Sequence, residues 1–257
     1  MAMTMLALAL GVSGCANSKM TTGSVNRSHG KSVDSMSAGE LGSAAERLGQ
    51  AYARNPKDRD GTLAYADVLR MSGRNDQALA VMRKLAIDYP KDRGVLAAYG
   101  KALAGAGQLE AALDAIRRAQ TPEYPDWKLL SAEGAILDQL GTADDARTLY
   151  RKALDLKPNE PSVLSNLGMS YILSGDLKTA ETYMRSAASQ PGADSRVRQN
   201  LALVVGLQGR FEEAEQIAQQ ELSPADAEAN VAYLRGMLAQ QNSWSQLEDK
   251  SKAKAVK

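Results

Sequence analysis

The sequence has a single cysteine, Cys15, and a single histidine, His29. With one of each, no internal disulfide can form, and neither a zinc site nor a Cys/His nucleophile pair can be assembled on ligand count. Phosphate-cradling loops are missing too: there is no G-x-x-x-x-G-K-[ST], and Gly105-Ala106-Gly107 runs into Gln108-Leu109-Glu110, without the third glycine of a dinucleotide loop. No charge dominates. The 31 basic side chains are matched by 30 acidic ones, which argues against general electrostatic capture of nucleic acid. Asp and Glu fall mostly at exposed helix positions, and nothing singles out a pair for acid/base work. The reading is of a chain that is not an enzyme, with no metal, no cofactor and no small-molecule substrate.

What is present is a repeat. Glycine recurs at Gly39, Gly73, Gly107, Gly141, Gly175 and Gly209, and alanine at Ala44, Ala78, Ala112, Ala146, Ala180 and Ala214, each ladder stepping by 34. Between the rungs, as in Leu164, Leu167, Gly168 and Tyr171 followed by Ala180, Met184 and Ala187, apolar and small residues keep helical spacing on either side of a glycine break. The unit is a helix, a turn and a second helix. A glycine can take the left-handed conformation that ends the first helix, and a small residue in the second lets the backbones approach. Each pair buries one face internally and needs a neighbour to cover the other, so the units must stack. The pattern resembles the tetratricopeptide signature W-x2-L-G-x2-Y, A-x3-F, A and P, over about residues 38 to 241. That resemblance implies an all-α fold, a right-handed α-solenoid of tetratricopeptide (TPR) helix pairs. It implies no chemistry, because the matching residues are scaffold.

The first 15 residues read as a targeting segment. The apolar run Met5–Val12 is too short to span a bilayer, which takes about 20 residues. It carries no Lys or Arg ahead of it and ends in Val12-Ser13-Gly14-Cys15, which resembles the bacterial lipobox. The resemblance implies lipidation of Cys15 and a membrane attachment through it. Ala16, where lipoproteins held in the inner membrane usually have aspartate, implies the outer membrane facing the periplasm, given a Gram-negative source. Residues 16–37, rich in Ser, Thr, Asn, Gly and Lys, read as a flexible tether, and His29 within it as a solvated residue.

The array begins part-way through a repeat. Gly39, Ala44, Leu48, Ala51 and Pro56 hold second-helix positions, so one helix, about Leu41 to Arg54, is expected to cap that end. Helix pairs follow at about 59 to 90, 93 to 122, 127 to 158, 161 to 191 and 195 to 222. Pro56, Pro90, Pro158 and Pro191 close successive units. Pro122 and Pro125, with Tyr124 and Trp127, suggest a lengthened turn. After Ser223 the frame slips: Asn230-Val231-Ala232 repeats Asn200-Leu201-Ala202 and Asn166-Leu167-Gly168, but at 30 residues rather than 34. Pro224 to Gln241 is then a final first-type helix. Residues 242–257, with Lys250, Lys252, Lys254 and Lys257, read as a solvated, disordered tail, or as a contact to anionic lipid or a partner.

In the tetratricopeptide frame the first helix of each pair lines a groove through its second, fifth, sixth, ninth, twelfth and thirteenth positions. Early repeats carry small or polar residues there: Asp67, Arg70, Ala97, Lys101, Gly105, Ser131 and Asp138. The last repeats carry Met169, Ile172, Leu173, Leu203 and Leu207 beside Asn166, Asn200 and Asn230. Apolar side chains facing solvent next to a row of amides suit a peptide laid in the groove. Two other origins stay open. The asparagines serve the fold itself in many tetratricopeptide proteins, and the final helix can cover the apolar residues.

Lipobox, tether, about five repeats and the closing run Asn230-Val231-Ala232-Tyr233-Leu234-Arg235-Gly236-Met237-Leu238 together resemble the lipoprotein family of the tight-adherence (Flp) pilus apparatus. That family implies protein partners, among them the outer-membrane secretin, and a part in pilus assembly. A general periplasmic adaptor for cell-envelope enzymes is the alternative.

Overall fold

The computed structural model describes residue 33, residues 36–121, 123 and 125–255, with side chains described as far as residue 240. The expected signal segment with Cys15 and Ala16, His29, nearly all of the expected tether, Pro122 and Tyr124 lie outside the described residues.

The chain divides into two compact units, one ending at Leu156 and the other beginning at Lys157. The first holds α1 (Ala38–Arg54), α2 (Arg59–Met71), α3 (Asn75–Asp88), α4 (Arg93–Gly105), α5 (Leu109–Ala119), α6 (Trp127–Gln139) and α7 (Ala143–Leu156). Each helix packs on the next, and the first helices of successive pairs, α2, α4 and α6, also touch in order. Every pair therefore meets only its neighbours, the arrangement of a solenoid. Its core is a continuous band of small and branched side chains, from Leu69 and Met82 through Leu103 and Ile116 to Ile136.

α1 starts earlier than the periodicity predicts because a reciprocal cap nucleates it. The Ser37 backbone N–H donates to Glu40 Oε2 at 2.8 Å, and the Glu40 N–H donates to Ser37 Oγ at 3.3 Å. Gly39 thus lies inside the first turn of α1, and this rung of the glycine ladder ends no helix. The other five rungs, Gly73, Gly107, Gly141, Gly175 and Gly209, all have φ between 71° and 84°. At the end of α2, the Gly73 N–H donates to Arg70 O and the Arg74 N–H to Leu69 O, and the later breaks repeat the second bond from Gln108, Thr142, Asp176 and Arg210.

All six ladder alanines are buried. In the first unit a Cβ added to Gly100 would stand 3.2 Å from Ala112 O, and one added to Gly134 would stand 3.1 Å from Ala146 O. The two helices of these pairs are that close because neither partner carries bulk at the crossing. Ser131, expected in the groove, is buried, and Asp138 accepts a hydrogen bond from the Tyr150 hydroxyl at 2.9 Å, which ties α6 to α7. Position twelve follows the close-approach glycine by four residues, so it shares that glycine's face and turns toward the second helix.

The second unit holds α8 (Pro161–Leu173), α9 (Leu177–Ala188), α10 (Ser195–Leu207), α11 (Phe211–Ala218) and α12 (Pro224–Ala255). Again each helix packs on the next, and α8, α10 and α12 touch in order. Pro161 opens α8, and Asp176 and Asp194 cap α9 and α10 through the N–H groups of Thr179 and Val197. The Ser223 hydroxyl accepts from the Asp226 N–H at 3.2 Å where α12 begins. α12 runs well past the expected end at Gln241, and its backbone is helical to Ala255 where a disordered tail from 242 was expected. After Gly236 the sequence has neither Gly nor Pro and is rich in Leu, Gln, Glu, Lys and Ala, so nothing local stops the helix.

Candidate functional site: a hollow between α10 and α12

α10 and α12 are successive first helices of the second unit, and they enclose a hollow of about 330 Å³. Asn200 and Leu203 line it from α10, Asn230, Tyr233 and Met237 from α12, together with Leu222 from the turn before α12. Buried Val231 and Leu234 also line it, Val231 packs in one cluster with Leu201 of α10, and Ala227 packs with Ala202 and Ala218. Tyr233 is 68% exposed, so a large aromatic face stands open at the rim.

The hollow gathers three of the groove residues expected from sequence, Asn200, Leu203 and Asn230. Asn230 is exposed. Asn200 is half-buried, and its Nδ2 donates to Ser165 Oγ on α8 at 3.0 Å. That bond is a fold-internal use of the amide, and it leaves the side-chain oxygen as the acceptor for a ligand. Leu173 and Leu207 end α8 and α10; the first is 48% exposed and the second half-buried. Asn166 is half-buried on α8. Met169 and Ile172 are half-buried against the cluster formed by Ala180, Met184, Val204 and Val205. For Ile172 the cause is the spacing from Gly168, the same rule that turns Asp138 inward.

Tyr233 and Met237 were not among the expected site residues, although the signal for them is present. Carrying the 30-residue slip through the frame makes Tyr233 the ninth position, equivalent to Met169 and Leu203, and Met237 the thirteenth, equivalent to Leu173 and Leu207.

An ionic network braces the unit at the turn between α10 and α11. Glu181 pairs with Arg210 and with Arg185, and it accepts from Gln208 Nε2 at 2.8 Å. Arg185 and Arg210 both reach Glu213 as well. The Arg210 bond foremost, with those of Gln208 and Arg185, outweighs burial and lowers the Glu181 pKa to about 2. Among the described residues no group of three or more His, Cys, Asp and Glu is placed to hold a metal ion, and no helix is long and apolar enough to cross a membrane.

Helix pairs broken by left-handed glycine, with buried alanine at each crossing and neighbour-only packing, define a helical-repeat scaffold. Tetratricopeptide-repeat models match residues 35–102, 98–161, 131–195 and 196–220. The chain belongs to the tetratricopeptide-repeat family. Among solved structures it is similar to TTC0263, a thermophilic TPR protein of Thermus thermophilus, at 24% identity and a TM-score of 0.56 over 65% of this chain and 91% of that one. It is similar to PilW, a widely conserved type IV pilus biogenesis factor, at 20% identity and 0.56 over 78% and 91%. It is also similar to PilF of Pseudomonas aeruginosa, at 21% and 0.51 over 81% and 90%. At these identities the likeness concerns the fold. No curated protein matches the sequence.

Proposed function

We propose that this chain is a non-catalytic scaffold that holds a polypeptide segment of a partner in the hollow between α10 and α12. The observation that carries the reading is the hollow itself: apolar Leu203, Met237 and Tyr233 beside the amides of Asn200 and Asn230, on the inner helices of a repeat unit. Apolar walls take side chains, and amides bond a peptide backbone. The particular role is assembly of a tight-adherence (Flp) pilus in the manner of the TadD lipoproteins, with the outer-membrane secretin or another pilus component as the partner. Lipidation at Cys15 would attach the protein to the outer membrane, facing the periplasm. Support comes from the lipobox-like Val12–Cys15, from the closing run Asn230–Leu238, and from a fold shared with a pilus biogenesis factor.

The test is genetic complementation with a deletion strain, reading surface pili and the secretin in the outer-membrane fraction. The parent gene restores both, and Leu203→Ser with Asn230→Ala restores neither while the protein level stays normal. Full pilus assembly in the deletion strain would overturn the pilus role. If the deletion instead alters cell-wall enzymes, the adaptor reading replaces it.

A further inference from the structure

A second hollow, of about 370 Å³, opens between α2 and α4 in the first unit, on the equivalent inner helices. Its walls are mostly short, Ala64 and Ala66 on α2 and Gly94, Ala97 and Ala98 on α4, with Leu63 and Val33 the larger apolar residues. Short walls leave room for a backbone to come in close. Three charged residues line it, Asp67, Arg70 and Lys101. Arg70 is committed to Asp67 through a 2.7 Å ion pair. Lys101 is partly buried and makes no hydrogen bond or ion pair to any described residue.

A partly buried ammonium that makes no ion pair is costly, and packing alone would be served better by an apolar residue. Burial and the nearby Arg70 depress its pKa, with Lys128 acting in the same sense and Asp67 and Asp126 opposing. Of the charged residues that line the hollow, Arg70 and Lys101 against Asp67 leave one positive charge in excess, while Arg59 beside Gly94 is paired with Asp60 and Asp92. One excess cation fits one carboxylate; a phosphate or a nucleic-acid backbone calls for several donors.

We propose that this hollow binds an acidic side chain presented by an extended partner segment, with Lys101 pairing with the carboxylate, Arg70 flanking it, and the alanine and glycine walls admitting the backbone. The inference rests on reading the chain as a binder of polypeptides, but none of its residues belongs to the α10–α12 hollow, so the two sites fail separately.

The experiment is fluorescence anisotropy on the full chain at low ionic strength. The probe is a labelled, amidated peptide of alternating alanine and glutamate, and its glutamine counterpart is the control. The glutamate peptide binds and the glutamine peptide does not. Lys101→Gln weakens binding by about tenfold, because it removes a partly desolvated charge partner. Lys101→Arg retains most of the affinity, and Lys84→Gln, an exposed cation on α3, leaves it unchanged. Added salt weakens the complex. Lys101→Gln removes a partly buried charge that makes no ion pair, so it remains folded, and circular dichroism with thermal melting verifies this. Equal binding of the glutamine peptide overturns the proposal, as does full affinity in folded Lys101→Gln. So does displacement by a neutral peptide with a free C-terminus, which would make the terminal carboxylate the ligand. Loss of binding in Leu203→Ser but not in Lys101→Gln would put the peptide in the other hollow and also overturns it. Failure here leaves the pilus complementation result untouched.

Discussion

A methyl group added to Gly168 would stand 3.1 Å from the carbonyl oxygen of Ala180 and 2.8 Å from Cγ of Met184. The same relationship joins Gly134 to Ala146, with the Tyr150 ring at 2.8 Å in place of the methionine. Met184 can bend away, whereas the Tyr150 ring is pinned by its hydroxyl bond to Asp138. We therefore expect Gly134→Ala to cost about 1–3 kcal/mol and Gly168→Ala less. Gly39→Ala, in α1 with nothing within 4 Å, should be neutral or stabilising by at most about 1 kcal/mol. Thermal melts of the three variants check the order; equal melting temperatures would mean that the crossings are not tight.

The alanine side of the crossing gives a companion prediction. Ala146 and Ala180 are fully buried, so leucine at either overpacks the pair by about 1–3 kcal/mol. Chemical denaturation measures the loss. Variants that unfold like the parent would remove those alanines from the contact.

The ladder was legible in the sequence because close crossing leaves few residue choices, and choices so constrained repeat. Helix pairs at the expected places, buried alanines and the left-handed glycines all follow from it. What failed lies at the two ends of the frame. Gly39 lies inside the first turn of α1 rather than at a helix end, and the run after Gln241 keeps helix-forming residues with nothing to stop them. Ile172 and Asp138, expected in the groove, pack inward. A list of groove positions treats the helix face as a sharp edge, but position twelve lies one turn beyond the close-approach glycine, so Ile172 and Asp138 turn toward their own pair. Tyr233 and Met237 needed only the slipped frame to be carried to its end.

Acid should weaken the second unit through Glu181. Its folded pKa, about 2, lies below the value near 4.3 of an unfolded glutamate, so the stabilisation is fully present above that value and is lost as the pH falls from about 4.5 toward 2. A shift of that size converts to about 3 kcal/mol at 1.36 per unit, and solvent at the edge of the network reduces it. We expect Glu181→Gln to cost about 1–2 kcal/mol at neutral pH and almost nothing near pH 2. Denaturant titrations of both proteins across that range test the sign; a difference that persists at pH 2 would assign the loss to packing.

The anchor is separable from the fold. Lipidation requires the Cys15 thiol, so Cys15→Ser should release the protein from the outer-membrane fraction or leave it unprocessed, with its helicity unchanged. Unaltered fractionation would remove the lipoprotein reading and leave both hollows standing.

The hollow between α10 and α12 divides its neighbours into those that bind and those that support. Leu203 and Tyr233 line the hollow, and Tyr233 is largely exposed, so Leu203→Ser and Tyr233→Ser should cost less than about 1 kcal/mol. Ile172 packs on the core cluster, and Ile172→Ser should cost more, toward the roughly 2–5 kcal/mol of large core deletions. Asn200→Ala removes the bond to Ser165 and should cost about 1 kcal/mol as well as its share of any ligand contact. Melting temperatures give the stability order, and capture of purified secretin on the immobilised chain gives the binding order. The expected pattern is a crossing of the two: Leu203→Ser and Tyr233→Ser lose capture while remaining stable, and Ile172→Ser loses stability first. If Leu203→Ser unfolds the second unit, its side chain belongs to the core and the hollow is a packing gap rather than a binding surface.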